Sequence, residues 1–306
     1  MPKPNALNRR QFTLLLAAAG TPALGGCKEK KPADPAREGV DVGDKSWATK
    51  LVPAEQVERA GAQQYAQMMR QAAAKNALAS NDDPQLQRLR AIAQRVIPLS
   101  VPWNPRAKEW RWEVNLVYSA QLNAFCIPGG KIAFFYGILE KLRLTDDEVA
   151  MVMGHEIAHA LREHARERMG KSMATDGAIQ LGAAFFGLGN MGHYMANLGG
   201  QLLKLTYSRS DESEADLVGM ELAARAGYDP KAGVTLWQKM AAAAKGAPPQ
   251  WLSTHPAGAT RIQDIERNLP KVESLYAKAE KPPRRFEIAG PRSARPQQQP
   301  SLLQPG

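Results

Sequence analysis

The chain has 306 residues, of which 44% are hydrophobic and 23% are charged, and its formal net charge is +10. This length fits one large or two modest domains, and this composition excludes a wholly disordered chain. Two cysteines are too few for a disulfide-rich scaffold or a four-cysteine zinc site. The body has no uncharged apolar run of about 18 residues, which excludes a polytopic membrane protein.

The first 26 residues have the order of an export signal. Basic residues precede a short apolar run at 12–19, and residues 24–27 resemble a lipobox, where cleavage precedes a cysteine that becomes lipidated. The arginine pair at 9–10 is typical of a twin-arginine signal, but its flanking residues depart from that pattern and leave the general secretory route open. We therefore expect a signal peptide at 1–26 and lipidation of Cys27. The alternative is a disordered N-terminus with an incidental cysteine.

Cleavage before Cys27 removes only basic charges and lowers the formal net charge from +10 to +7. Lys28 stands where an aspartate commonly retains bacterial lipoproteins at the inner membrane. We therefore expect a lipid-anchored protein of the bacterial cell envelope that faces the periplasm, with the outer membrane favoured. A basic chain outside the cytoplasm has no expected nucleic-acid partner, and its expected membrane contact is through lipidated Cys27.

The elements beyond the signal predict one mainly helical domain. Residues 27–52 are predicted as a lipidated tether, 53–280 as the domain with its core at 84–270, and 281–306 as a disordered tail. The glycine-rich stretch at 177–203 fits a loosely packed core helix pair better than a mobile flap that touches lipid. The predicted helices lie at 53–78, 84–97, 145–167, 211–226, from 230 onward and 256–269, and the predicted strands at 110–118, 121–127 and 131–134.

The pattern His-Glu-x-x-His at 155–159 carries the strongest chemical signal. On a helix, His155 and His159 lie about 40° apart and can share one metal ion. Glu156 points aside by about 100°, where it can hold a metal-bound water. Zinc lowers the pKa of that water, and Glu156 accepts its proton as the hydroxide attacks a peptide carbonyl. The alternative is a pair of surface histidines on an ordinary helix.

A third metal ligand has to come from elsewhere in the chain. His164 lies five residues past His159, which would place it on the opposite face of a continuous helix, so we assign it a structural or surface position. Residues 208–216 carry several acidic side chains at the start of another predicted helix.

At this point the sequence resembles the M48 metallopeptidases, the zinc endopeptidases related to HtpX, Oma-type and CAAX-prenyl proteases. These proteins pair His-Glu-x-x-His with a downstream Glu-x-x-x-Asp, which Glu212 and Asp216 match here. The resemblance implies that Glu212 is the third ligand of a single zinc ion. It implies for Asp216 a place beside the ligands, often as proton donor. The alternative for Glu212 is a solvated acid at a helix start.

On the helix that begins at Asp211, Glu212 and Asp216 share one face, whereas Glu214 lies about 200° from Glu212. We therefore expect Glu214 to face solvent, with Glu221 and Arg225 as its neighbours.

Three further stretches match the family. Asn123, Ala124 and Phe125 resemble its edge-strand segment, which can pair with an extended substrate, although a plain hairpin also fits. Arg209 could polarise a carbonyl or hold Asp216, or form a surface salt bridge. His255 stands in a late motif that continues to Arg261, and it could be a transition-state donor, a reversible fourth ligand or a helix cap.

The resemblance covers roughly residues 84–270 and implies a zincin-like α+β metallopeptidase domain, mainly helical, with a small antiparallel sheet. It implies hydrolysis of peptide bonds in unfolded or extended envelope proteins, with protein quality control as the family expectation. One rival is a chaperone-like binding protein with a purely structural zinc, which would not need Glu156. The other is a basic nucleic-acid binder, which the export signal disfavours.

Overall fold

The computed structural model describes residues 38–185, 205–244, 250–255 and 260–291. The predicted signal peptide, Cys27, most of the glycine-rich stretch and the end of the predicted tail lie outside these ranges. No helix in the described ranges is long and apolar enough to cross a membrane. The elements are α1 Ala54–Ala74, α2 Pro84–Val96, β1 Glu113–Val117, β2 Ala124–Ile127, β3 Lys131–Phe135, α3 Tyr136–Lys141, α4 Asp146–Leu161, α5 His164–Phe185, α6 Arg209–Arg225, α7 Ala232–Ala243, α8 Gln250–Thr254, α9 Arg261–Asn268 and α10 Pro270–Lys278.

The central helix α4 begins at a capping box. The Thr145 side chain accepts a hydrogen bond from the Glu148 backbone, and the Glu148 carboxylate accepts one from the Thr145 backbone. The helix ends at Leu161 because Glu163 takes a left-handed φ of +62°, and α5 begins at the next residue. The single helix predicted for 145–167 is therefore wrong, and two helices replace it.

The three strands form a mixed sheet in the order β1-β3-β2. A hairpin turn with left-handed Gly129 and Gly130 makes β2 and β3 antiparallel. After β1 the chain crosses to the opposite edge of the sheet and forms β2. The hairpin then places β3 between the two, where it runs parallel to β1. The predicted antiparallel sheet is therefore correct for one pair of strands and wrong for the other. The result leaves β2 at an edge of the described sheet.

Both faces of the sheet are covered. One face packs in the main core with α2 and α4, and the other packs against α1 and the start of α5. Side chains alternate along each strand, as a sheet buried on both faces requires. On β3, Ile132 and Phe134 join the main core while Ala133 faces α1. This packing places the edge strand β2 beside the middle of α4.

Helices α4 and α6 touch through two glycines. A Cβ atom added to Gly154 would lie 2.6 Å from the Gly219 carbonyl oxygen, and one added to Gly219 would lie 2.6 Å from the His155 nitrogen. Only residues without a side chain allow the two backbones to approach this closely. The contact brings the acidic first turns of α6 toward the histidines of α4.

Both ends of the described chain extend the domain beyond its predicted limits. Residues 38–52, predicted as tether, include buried Val40 and Val52, and the Val40 N–H donates to the Glu221 carboxylate at 2.9 Å. Residues 282–291, predicted as tail, also pack on the domain, since the Phe286 N–H donates to Asp146 Oδ2 at 2.9 Å. These parts of the predicted tether and tail are folded, because their backbone groups find partners in the domain.

Candidate active site

Two buried histidines of α4 point their ring nitrogens at the same space. His155 Nε2 and His159 Nε2 are 3.1 Å apart, one turn along the helix, as the spacing predicted. The intervening Glu156 is also buried, and its Oε1 accepts a hydrogen bond of 2.6 Å from the indole of Trp251. The carboxylate is therefore held beside the histidine pair.

Helix α6 brings a carboxylate to the histidines. Its own start is fixed by a capping box between Ser208 and Asp211, and Glu212 follows in the first turn. Glu212 Oε2 lies 3.6 Å from His155 Nε2, and its Oε1 lies 3.5 Å from His159 Nε2.

His255 completes a group of four donors. It follows α8, and its Nδ1 lies 3.3 Å from His155 Nε2 and 3.0 Å from Glu212 Oε1. Burial would lower the pKa of His255, but the carboxylates of Glu156 and Glu212 raise it above its usual value. This position among the donors agrees with the two alternatives in which His255 approaches a metal, as a transition-state donor or as a reversible fourth ligand.

The four donors fit one metal ion. One donor atom from each of His155, His159, Glu212 and His255 can be chosen so that all lie within 4.8 Å of one another. Tetrahedral ligands at about 2.0–2.2 Å from zinc lie roughly 3.3–3.6 Å apart, close to the separations observed. Burial and the neighbouring histidines lower the pKa of His159 well below its usual value, so its ring is neutral, as a metal ligand must be.

The outer ring nitrogen of His155, Nδ1, is held by the buried ion pair of Asp216 and Arg261. His155 Nδ1 lies 3.0 Å from Asp216 Oδ1, and Arg261 donates to both oxygens of Asp216 at 2.6 Å. Arg261 also donates to Glu212 Oε2 at 2.6 Å. Burial would raise the pKa of Asp216, but the charge of Arg261 and these hydrogen bonds lower it to about 2. Arg209, for which holding Asp216 was one of the alternatives, is exposed at the start of α6, and Arg261 pairs with Asp216.

The outer nitrogen of His159 has a second support, which the sequence analysis did not find. His164 Nδ1 lies 2.9 Å from His159 Nδ1, and His164 Nε2 lies 3.4 Å from Glu214 Oε2. Glu214 also accepts from Arg162 Nε at 2.8 Å, and its side chain is only 28% exposed. The predictions that Glu214 faces solvent and that His164 lies on the opposite face are wrong. The turn between α4 and α5 brings His164 back toward the site.

The expected neighbours of Glu214 are also placed differently. Glu221 is fully buried, and its carboxylate accepts hydrogen bonds from the Val40 backbone and from Arg225 Nε at 2.8 Å. The face of α6 that carries these residues is therefore covered by the folded segment at 38–52.

Two aromatic side chains at the site were not predicted from the sequence. Tyr207 stacks on the ring of His159 with ring centres 4.0 Å apart. Trp251, fully buried, stacks on His255 and holds Glu156. Trp251 stands four residues before His255, and this spacing on a helical turn is the one feature that could have pointed to it.

A cavity of about 290 Å³ opens beside Glu156 along the edge strand. Asn123, Ala124 and Phe125 line it, and the strand proper begins at Ala124. Met68, Phe135, Ala165 and Leu205 add apolar side chains to its wall. The cavity therefore combines a strand edge with an apolar wall, next to the donor group.

Comparison with known proteins places the chain in a family. Residues 83–269 match the model of Peptidase family M48. A mitochondrial metalloendopeptidase OMA1 of Schizosaccharomyces pombe is 35% identical over 185 residues, 60% of this chain and 52% of its own length. Metalloendopeptidase OMA1 of Bos taurus is 32% identical over 230 residues, which are 71% of this chain and 43% of its own length. Metalloprotease LoiP of Escherichia coli is 32% identical over 153 residues, which are 49% of this chain and 60% of its own length.

The match does not extend over the whole of these relatives. The chain spans about half the length of the curated relatives it matches. The matched region of this chain contains α4, α6 and the donor group described above.

Proposed function

From the premise that the chain belongs to Peptidase family M48, we propose that it is a zinc-dependent endopeptidase of the bacterial envelope. The observation that carries this proposal is the buried group of three histidines and Glu212, with the Glu156 carboxylate held beside it. Zinc fits this group, because neutral imidazoles and a carboxylate are its usual ligands in hydrolases.

We assign His155, His159 and Glu212 to hold the ion, and Glu156 to act as general base. Bound zinc would supply Lewis-acid chemistry and a lower pKa for water. Glu156 would take the proton of the attacking water and pass it to the leaving amine. Trp251 limits the rotation of Glu156 by bonding one carboxylate oxygen, which leaves the other for the proton.

Asp216 and His164 would orient the two histidine ligands. Each bonds the outer nitrogen of one ring, which fixes the ring plane and raises the basicity of its inner nitrogen. The low pKa of Asp216 keeps that carboxylate charged at neutral pH, so it orients the ligand as an acceptor. This charge argues against the proton-donor role that the family resemblance allows for Asp216.

His255 would serve the reaction in one of the two ways that its sequence position suggests. As a reversible fourth ligand it would compete with water for the metal. As a donor it would stabilise the negative oxygen that develops on the peptide carbonyl. The two roles predict opposite effects of replacing His255. The peptidase activity would rise if His255 is a competing ligand and fall if it is a donor.

The substrate would be an unfolded or extended polypeptide. An extended chain can add to β2 as a further strand, with Asn123, Ala124 and Phe125 along its path. One substrate side chain would then enter the apolar cavity beside Glu156. Protein quality control is the biological setting that this substrate class supports.

We also propose that Cys27 is lipidated and holds the protein at the periplasmic side of a bacterial membrane, with the outer membrane favoured. The order of basic residues, apolar run and lipobox supports this location. The same location argues against a nucleic-acid partner.

The experiment that tests the peptidase proposal is cleavage of casein and of an unfolded porin by the mature protein. Cleavage that requires zinc and stops with a chelator supports it, and the products locate the bonds cut. A zinc-loaded protein that binds unfolded porin but cleaves neither substrate would favour the chaperone-like alternative. Salt-dependent DNA binding without zinc would favour the nucleic-acid alternative.

A further inference from the structure

A short 3-10 helix at the N-terminal side of the domain presents apolar side chains to solvent. We call Trp47–Leu51 the Trp47 turn. Trp47 is 62% exposed and Leu51 is 43% exposed. At 38–175, 205–244, 251–255 and 260–291, where side-chain exposure is described, only Val101 and Ile288 are other large apolar side chains of similar exposure. Two of these four side chains therefore lie on one turn.

The fold holds this turn rigidly. Arg166 donates to the carbonyl oxygens of Thr49 at 2.6 Å and Val52 at 2.7 Å, and Ala48 and Thr49 are buried. Gly170 of α5 lies so close that an added Cβ would be 2.0 Å from the Ala48 carbonyl oxygen. Trp47 is thus exposed because its backbone is fixed in this position.

The turn itself carries one exposed basic side chain, which an anionic surface attracts. Lys50 is exposed between Trp47 and Leu51. Lys171 follows the glycine that contacts the turn, but its ammonium group pairs with the carboxylate of Glu167. Segments that lie in the headgroup region of a bilayer typically combine tryptophan and leucine with neighbouring lysine.

We propose that the Trp47 turn docks on the surface of an anionic lipid bilayer, with Trp47 and Leu51 in the headgroup region and Lys50 against lipid phosphates. The choice of a bilayer as the occupant rests on the lipid anchor proposed at Cys27. The segment 27–37 joins that residue to the domain, and eleven residues reach at most roughly 40 Å. The anchor would keep the domain near the bilayer, and the turn would set its orientation there.

Fluorescence can report on this contact because Trp47 differs from the other tryptophans. Trp103, Trp110, Trp237 and Trp251 are buried and Trp112 is half-buried, so acrylamide in water reaches Trp47 most easily. The experiment uses the lipidated protein in phosphatidylglycerol–phosphatidylethanolamine vesicles and the Cys27→Ser protein free in solution. Trp47→Phe identifies the Trp47 signal in both samples.

On vesicles, we expect acrylamide quenching of Trp47 to fall severalfold and brominated phosphatidylglycerol to quench the same signal. The double variant Trp47→Ser/Leu51→Ser should leave the domain undocked. A spin label on Asp44→Cys, an exposed position next to the turn, can measure this in both backgrounds. Val101→Ser is the matched control and should retain the wild-type quenching. Neutral phosphatidylcholine vesicles should give weaker protection, because they offer no net charge to Lys50.

Equal acrylamide quenching of Trp47 on vesicles and in solution would overturn the proposal. Protection of Trp47 without lipid would also overturn it, because another part of the chain or a second copy would then cover the turn. Anchoring itself is read separately by flotation of the wild-type and Cys27→Ser proteins. A failed anchor and a failed docking surface therefore give different results, and peptidase activity enters neither.

Discussion

At the residue scale, the site depends on neighbouring acidic side chains with different contacts. Glu156 faces the cavity and is held by Trp251, whereas Glu212 lies among the donors and is held by Arg261. The position of Glu156 suits a general base, and that of Glu212 suits a metal ligand. Replacing Glu156 should therefore leave the metal bound, whereas replacing Glu212 should release it.

Glu156→Gln should keep bound zinc and lose peptidase activity. The amide has nearly the shape of the carboxylate and leaves the donors in place, but it cannot accept the proton of water. Zinc content by mass spectrometry and casein cleavage on the same preparation measure both effects. A fully active Glu156→Gln protein would remove the proposed mechanism.

Glu212→Ala should lose zinc and activity together, because it removes one of the donors. Glu214→Ala should retain zinc with an affinity about 10–100-fold lower, since it removes only the support behind His164 and His159. Asp216→Ala should likewise be intermediate. Zinc titration of the purified variants measures this order.

The control for these variants is Glu266→Ala, which removes an exposed acid of α9 and should bind zinc like the wild type. If Glu214→Ala emptied the site while Glu212→Ala did not, the ligand assignment would be wrong.

At the scale of elements, the site exists because α4 and α6 approach through glycines. The two histidines belong to one helix and Glu212 to the other, so the distance between the helices sets the distances between the donors. Arg261 of α9 then joins Glu212 and Asp216 and fixes the rotation of α6 against the histidines.

Gly219→Ala should weaken both the fold and the metal site. The added Cβ would meet the His155 nitrogen at 2.6 Å, so α6 has to move away from α4. Overpacking of this kind costs about 1–3 kcal/mol of the free energy of unfolding. Thermal unfolding of the metal-free protein measures the first effect, and zinc titration measures the second.

Gly290→Ala is the matched control, because a Cβ there meets nothing within 4 Å. A Gly219→Ala protein with the stability and zinc affinity of the Gly290→Ala control would show that the glycine contact does not position the ligands.

At the scale of the whole molecule, the domain is larger than the family match. The segment at 38–52 packs against α5 and α6, and the segment at 282–291 packs against α4. The proposed lipid anchor therefore connects through 27–37 to a folded segment that contacts the helices of the site.

Cys27→Ser should move the protein from the membrane fraction to the soluble fraction. Without the thioether the chain has no acyl groups, and docking through the Trp47 turn alone is reversible. Cell fractionation with an antibody measures the distribution, and Cys126→Ser is the control because that thiol is buried. A Cys27→Ser protein that stayed with the membrane would point to another anchor.

The sequence determined the parts of this protein that depend on local spacing. Histidines at i and i+4 share one helix face, and so do Glu212 and Asp216, because the period of a helix is a property of the backbone. The capping box at Thr145 and the glycine turn after β2 were readable for the same reason. These patterns were enough to predict the family, the zinc ion and the donors on α4 and α6.

Only the tertiary structure decided which distant residues meet. Three contacts at the site join segments that are far apart in the chain, namely Arg261 with Asp216, Trp251 with Glu156, and His164 with Glu214. The parallel pairing of β1 with β3 depends in the same way on where the hairpin packs. Packing of side chains from separate elements sets these contacts, and the period of a single helix or strand carries no information about them.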